Sequence, residues 1–147
     1  MADTGTVVRI KADGAPLGAL KDKVWAFLLE ETGTPVDWVI TPAGEGVQLA
    51  DRASGAALAV PSTEPFTQAT LAAQGATNSR WTLGLIDGFD YTPVTTVTES
   101  GWYCLALAGT GQFLGRNRVE DRSLMPKKVL LLPEGVEPPR LLVEVVG

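Results

Sequence analysis

Apolar positions fall in short runs separated by Gly- and Pro-containing turns, and the runs themselves repeat. Three segments share the form Gly-x-x-Leu-small: Gly14-Ala-Pro-Leu17-Gly18, Gly55-Ala-Ala-Leu58-Ala59 and Gly111-Gln-Phe-Leu114-Gly115. Their leucines are 41 and 56 residues apart, the second interval lengthened by an apparent insertion over 87–100. Without it the period is about 43 residues, the scale of a supersecondary repeat. Six residues before each glycine stands an aliphatic, Val8, Leu49 or Leu105. Downstream come the apolar runs Val24–Leu28, Ala69–Ala73 and Val129–Leu132, then the alternating segments Trp38-Val-Ile40, Trp81-Thr-Leu83 and Leu142-Val-Glu-Val145.

Each unit therefore reads as four short strands. Three such units predict an all-β chain, a single-domain β-trefoil with pseudo-threefold symmetry over 1–147, in repeats of about 6–44, 45–87 and 101–146. Three propeller blades would fall short of the four or more that close a propeller. Equivalent positions should fill the barrel in layers: Val8, Leu49 and Leu105; Leu17, Leu58 and Leu114; Trp38, Trp81 and Leu142. One stretch opposes this reading. Leu20, Val24, Phe27, Leu28 and Leu29 lie on one face of a helix over Gly18 to Thr32. Strands are expected there instead, because Glu30-Glu31 in the last turn would oppose a helix macrodipole and the matching stretches of the other units are too short for such a helix.

Composition narrows the function. Gly and Pro number 16 and 10 of 147 residues and are spread along the chain, as in a turn-rich β protein. With no histidine, Ser-His-Asp and Cys-His nucleophiles, an imidazole base and His-containing metal sites are excluded. The single cysteine, Cys104, excludes an internal disulfide and reads as inert core between Tyr103 and Leu105. Asp87, Asp90 and Glu99 lack the spacing of a calcium loop. No enzyme, metal or cofactor is expected. The net charge of −5 disfavours nucleic acid and anionic membranes as partners. No apolar run approaches the ~18 residues of a membrane span, and the start Met-Ala-Asp-Thr-Gly is not signal-like, so the expected location is cytoplasmic.

Charge is informative where it is concentrated. Residues 116–128 carry Arg116, Arg118, Arg122, Lys127 and Lys128, five of the 12 basic residues of an acidic protein. The bland interpretation is a solvated loop with local ion pairs. The same stretch, Phe113-Leu-Gly-Arg116 followed by Glu120-Asp-Arg-Ser-Leu-Met-Pro-Lys-Lys-Val-Leu-Leu-Leu-Pro-Glu-Gly-Val-Glu-Pro-Pro139, resembles the fungal trefoil serine protease inhibitors of the cospin and cnispin type, over roughly residues 111–142. The resemblance implies a protein inhibitor, probing a trypsin-like active site with an exposed basic side chain, acting without cofactor and as a monomer. A preorganised loop loses little entropy on docking, and a pocket with an acidic floor takes Arg or Lys. Family members use different loops, so candidates are ranked by exposure: Arg118 and Arg122 first, then Arg116, with Lys21 and Lys23 of the first unit as an alternative anchor.

Other readings stay open. A carbohydrate-binding trefoil would offer aromatics such as Trp25, Phe66, Tyr91 or Trp102 as stacking faces, although the Gln-x-Trp signature is absent from Val36-Asp-Trp38 and Ser79-Arg-Trp81. Inhibition of papain-like cysteine proteases is a third reading. The insertion over 87–100 is a candidate partner-binding loop or an ordinary hairpin connection.

Overall fold

A computed structural model describes residues 5–27, 36–88, 90–116 and 126–146. Its strands are β1 (Thr6–Ala12), β2 (Ala15–Leu20), β3 (Lys23–Ala26), β4 (Trp38–Ala43), β5 (Gly46–Asp51), β6 (Ala57–Ala59), β7 (Thr70–Ala72), β8 (Trp81–Asp87), β9 (Asp90–Val94), β10 (Gly101–Leu107), β11 (Leu114–Arg116), β12 (Lys127–Leu131) and β13 (Leu141–Val145). No helix occurs among the described residues, and the described part of the helix-like stretch, residues 18–27, holds the end of β2 and all of β3.

Six strands close a barrel. β1 pairs β4, β4 pairs β5, β5 pairs β8, β8 pairs β10, β10 pairs β13, and β13 returns to β1, all antiparallel. Closure leaves these strands no free edge. Alternation then fixes what is inside. In β1, Val8, Ile10 and Ala12 are buried, while Arg9 and Lys11 face outward and pair with Asp37 at 2.8 Å and Glu144 at 3.1 Å.

The hairpins β2–β3, β6–β7 and β11–β12 cap one end. They join in a triangle through Lys127 with Ala26, Lys23 with Thr70, and Gln68 with Leu130. At its centre the amide of Val24 donates to the carbonyl of Ala69 at 2.9 Å, and that of Ala69 to Val129 at 2.8 Å. All three side chains are buried. The fold is a β-trefoil.

Strand register corrects two of the expected layers. The last residues of β1, β5 and β10 oppose Leu141, Trp38 and Trp81 across the next pairing. The partner of the two tryptophans is therefore Leu141, which is buried, while Leu142 is only half-buried and points the other way. By the same register the position equivalent to Leu49 and Leu105 is Ile10, and Val8 matches Val47 and Tyr103. The reason is turn length. β1 and β2 are joined by two residues, Asp13 and Gly14, both in the left-handed region at φ 50° and 82°, whereas the corresponding connections of the other units are longer. Unit 1 is two residues short there, and a slip of two returns a strand to the same face, so Val8 is buried all the same.

The insertion extends β8 and returns as β9, an edge strand paired from Asp87–Asp90 to Leu83–Val94. On the outer face the Tyr91 ring lies over Gly84, where an added Cβ would sit 2.4 Å from the ring, and meets Phe113 edge to face at 5.8 Å between ring centres. Arg140 donates to the Gly88 carbonyl at 2.6 Å and ties down the hairpin tip.

The two core tryptophans differ in one bond. Trp81 Nε1 donates to the Leu58 carbonyl at 3.0 Å. The matching Leu17 carbonyl instead accepts from the Val36 amide at 3.1 Å, and Trp38 Nε1 has no partner among the described residues. Trp81→Phe strands a buried carbonyl; Trp38→Phe removes an unpaired donor. Urea denaturation should show W81F losing about 1–3 kcal/mol more than W38F. Equal losses would show that this bond contributes nothing.

Candidate functional site

With the strands used as scaffold, chemistry and recognition fall to the connections. Arg118 and Arg122 lie outside the described residues. Arg116 ends β11 half-buried. Its Nη1 donates to the carbonyls of Ala12 at 3.2 Å and Asp13 at 3.4 Å, so the guanidinium braces the base of the basic segment against the β1–β2 turn. Gly115 beside it allows close approach: an added Cβ would stand 3.0 Å from Leu132 and 3.1 Å from Pro139.

Lys21 and Lys23 are both exposed on the β2–β3 hairpin. Lys21 and Asp22 form its two-residue turn with φ of 53° and 65°, the double positive φ of a type I′ turn. The Asp22 carbonyl accepts from the Leu71 amide at 2.8 Å, which fixes the tip against β7. This tip is basic, held by that bond, and reverses the chain within two residues.

The corresponding connection of the second unit is tethered at several points. The Gln112 side chain, buried, donates through Nε2 to the Thr63 carbonyl at 2.8 Å. Thr67 donates from Oγ1 and from its amide to the Glu64 carbonyl, at 2.7 and 3.3 Å. The Phe66 amide donates to the Leu131 carbonyl at 2.6 Å, and Leu131 returns a bond to the Thr67 carbonyl at 2.9 Å. Glu64 to Thr67 is thus a four-residue turn with Pro65 second and Phe66 third at φ 69°, the type II pattern in which the third residue is normally glycine. A left-handed aromatic costs on the order of 1–3 kcal/mol. Burial does not compensate, because Phe66 is 63% exposed. It borders a cleft of about 640 Å³ lined also by Leu130, Leu132, Pro138, Pro139 and Arg116.

The aromatics considered as sugar platforms are dispersed. Trp25 is half-buried in β3, Tyr91 packs on Phe113, and Trp102 lies on β10 opposite Leu142. Asp87 and Asp90 face each other across the β8–β9 turn, and no group of three or more acidic or Cys ligands that could hold a metal occurs among the described residues. Burial raises the Cys104 thiol pKa to about 11, so it stays protonated at neutral pH.

Residues 96–147, a third of the chain, match the family model described as Peptidase inhibitor I66. No curated protein matches. Solved structures do. A designed threefold-symmetric protein, ThreeFoil, aligns with a TM-score of 0.67 and 21% identity over 95% of this chain and 99% of its own. An exo-beta-1,3-galactanase from Clostridium thermocellum aligns at 0.68 and 17%, over 99% of this chain but 31% of the enzyme. A Caenorhabditis elegans protein of unknown function aligns at 0.64 and 15%, over 96% and 94%. These likenesses establish the fold, and the family match supports non-enzymatic protease inhibition.

Thiol reactivity tests the packing around Cys104. Ellman's reagent at pH 8 should leave the folded protein unlabelled and titrate one thiol in urea, since the thiolate is the reactive form. Rapid labelling of the folded protein would contradict a buried thiol.

Proposed function

We propose that the chain is a monomeric protein inhibitor of trypsin-like serine proteases that offers the basic segment between β11 and β12 to the active site in a substrate-like manner. The observation that carries this reading is the peptidase inhibitor match, which spans β10 to β13 and so includes that segment. The physics is preorganisation. A loop already held near its bound shape loses little freedom on docking, and one side chain filling a specificity pocket supplies a large share of the affinity.

Arg118 and Arg122 are the first-ranked anchors, from their place within the basic segment. Arg116 is assigned a bracing role, because its guanidinium is spent on the Ala12 and Asp13 carbonyls. Lys21 and Lys23 rank below them as the alternative anchor, because their hairpin lies outside the stretch that the peptidase inhibitor match covers.

Inhibition constants against trypsin decide the assignment. At least one of Arg118→Ala and Arg122→Ala should weaken inhibition by tenfold or more, about 1.4 kcal/mol. Arg116→Ala should weaken it less and lower the melting temperature. If neither R118A nor R122A reaches tenfold, the segment is not the reactive one. Wild-type protein that blocks papain but not trypsin would move the reading to cysteine proteases.

A further inference from the structure

Phe66 combines three features that a structural role does not explain. Its backbone is strained at φ 69°, its ring is 63% exposed, and its turn is fixed on both sides, by Gln112 to Thr63 and by the paired bonds between Phe66, Thr67 and Leu131. Strain that brings no packing gain is expected where geometry serves function. Here the result is one large, mostly exposed apolar side chain at the rim of the cleft, on a tethered turn. That arrangement matches the aromatic anchors that dominate protein–protein contacts.

We infer that Phe66 is the anchor of a second protease contact, its ring entering the apolar specificity pocket of a chymotrypsin-like serine protease. The inference rests on the inhibitor reading and adds a specificity that the basic segment cannot supply, since an apolar slot rejects a charged side chain. Between Pro61 and Gln68 the chain carries no basic residue, so this turn has nothing to offer an acidic pocket. The left-handed backbone gives the contact a second property. Proteolysis needs the scissile carbonyl aligned with the nucleophile, and misplacement of reacting atoms is costly in rate. At φ 69° the Phe66–Thr67 bond follows a turn rather than an extended strand, so the ring is held in the pocket while the bond resists attack.

The test measures inhibition of chymotrypsin and trypsin by the wild type, Phe66→Gly and Phe66→Tyr, with intact mass after prolonged incubation. Glycine relieves the strain of a positive φ, so F66G should melt no lower than the wild type and remain a fair comparison. The wild type should inhibit chymotrypsin. F66G should weaken that inhibition by about 30-fold or more, the scale of a hot-spot residue, while changing trypsin inhibition by less than about threefold. F66Y should stay close to wild type, and the Phe66–Thr67 bond should remain uncut. Trypsin inhibition without chymotrypsin inhibition would overturn this inference alone; inhibition of neither would overturn the inhibitor reading as well. Chymotrypsin inhibition unchanged in F66G, or cleavage after Phe66 with loss of inhibition, would also overturn it.

Discussion

The pairing of β1 with β13, from Val8–Val145 to Ala12–Leu141, is the constraint on which the molecule depends. It turns a row of antiparallel strands into a ring, so that alternation along each strand divides inside from outside with no edge left open. Without it the ends of the chain would be two free edges, and the Ile10, Leu49 and Leu105 layer would lose one of its three walls. The cap rests on the same closure. Val24, Ala69 and Val129 meet at its centre because the barrel brings the three hairpins together, each pairing with the next. The scaffold thereby restricts the connections without a disulfide, Cys104 being free.

Much of this was legible in the sequence, because an inward position repeated three times leaves a periodic trace. The Gly-x-x-Leu-small segments located Leu17, Leu58 and Leu114, all buried. The finer frame was harder to read. Counting back from the glycines equated Val8 with Leu49, and the Asp13-Gly14 pair, a strong signal for a two-residue hairpin turn, would have revealed the shorter turn and selected Ile10. In the last strand, Leu141, Leu142 and Val143 give no alternation by eye, and only register across β1 distinguishes Leu141. The tether of Phe66 was illegible for a different reason. Its partners Gln112 and Leu131 are remote in sequence, and a positive φ at phenylalanine contradicts local preference, so nothing near residue 66 announces it beyond the Pro65 that precedes it.

Symmetry and function separate along the same line. Where the three units pack together, their buried positions stay largely apolar even where size differs, as with Leu141 against Trp38 and Trp81. The connecting segments diverge: a tight Lys21-Asp22 turn in the first, a tethered aromatic turn in the second, and in the third a segment that is basic in sequence. The divergent connections close equivalent hairpins, so one rigid platform carries three chemically different tips. A binding protein gains from this arrangement, since tips can change without disturbing the core. The outer cluster of Tyr91, Phe113 and Cys104 has another task, holding the β8–β9 hairpin against the barrel.

Hydrogen–deuterium exchange of the protein alone and saturated with trypsin tests the central claim most directly, that a rigid trefoil engages a protease through its cap connections. Barrel amides in β1, β5, β10 and β13 should exchange slowly in both states, and protection gained on binding should be confined to the connections closing the cap hairpins, foremost residues 116–128. Absence of any protection, or protection centred on the β8–β9 hairpin or on the barrel strands away from the cap, would contradict it.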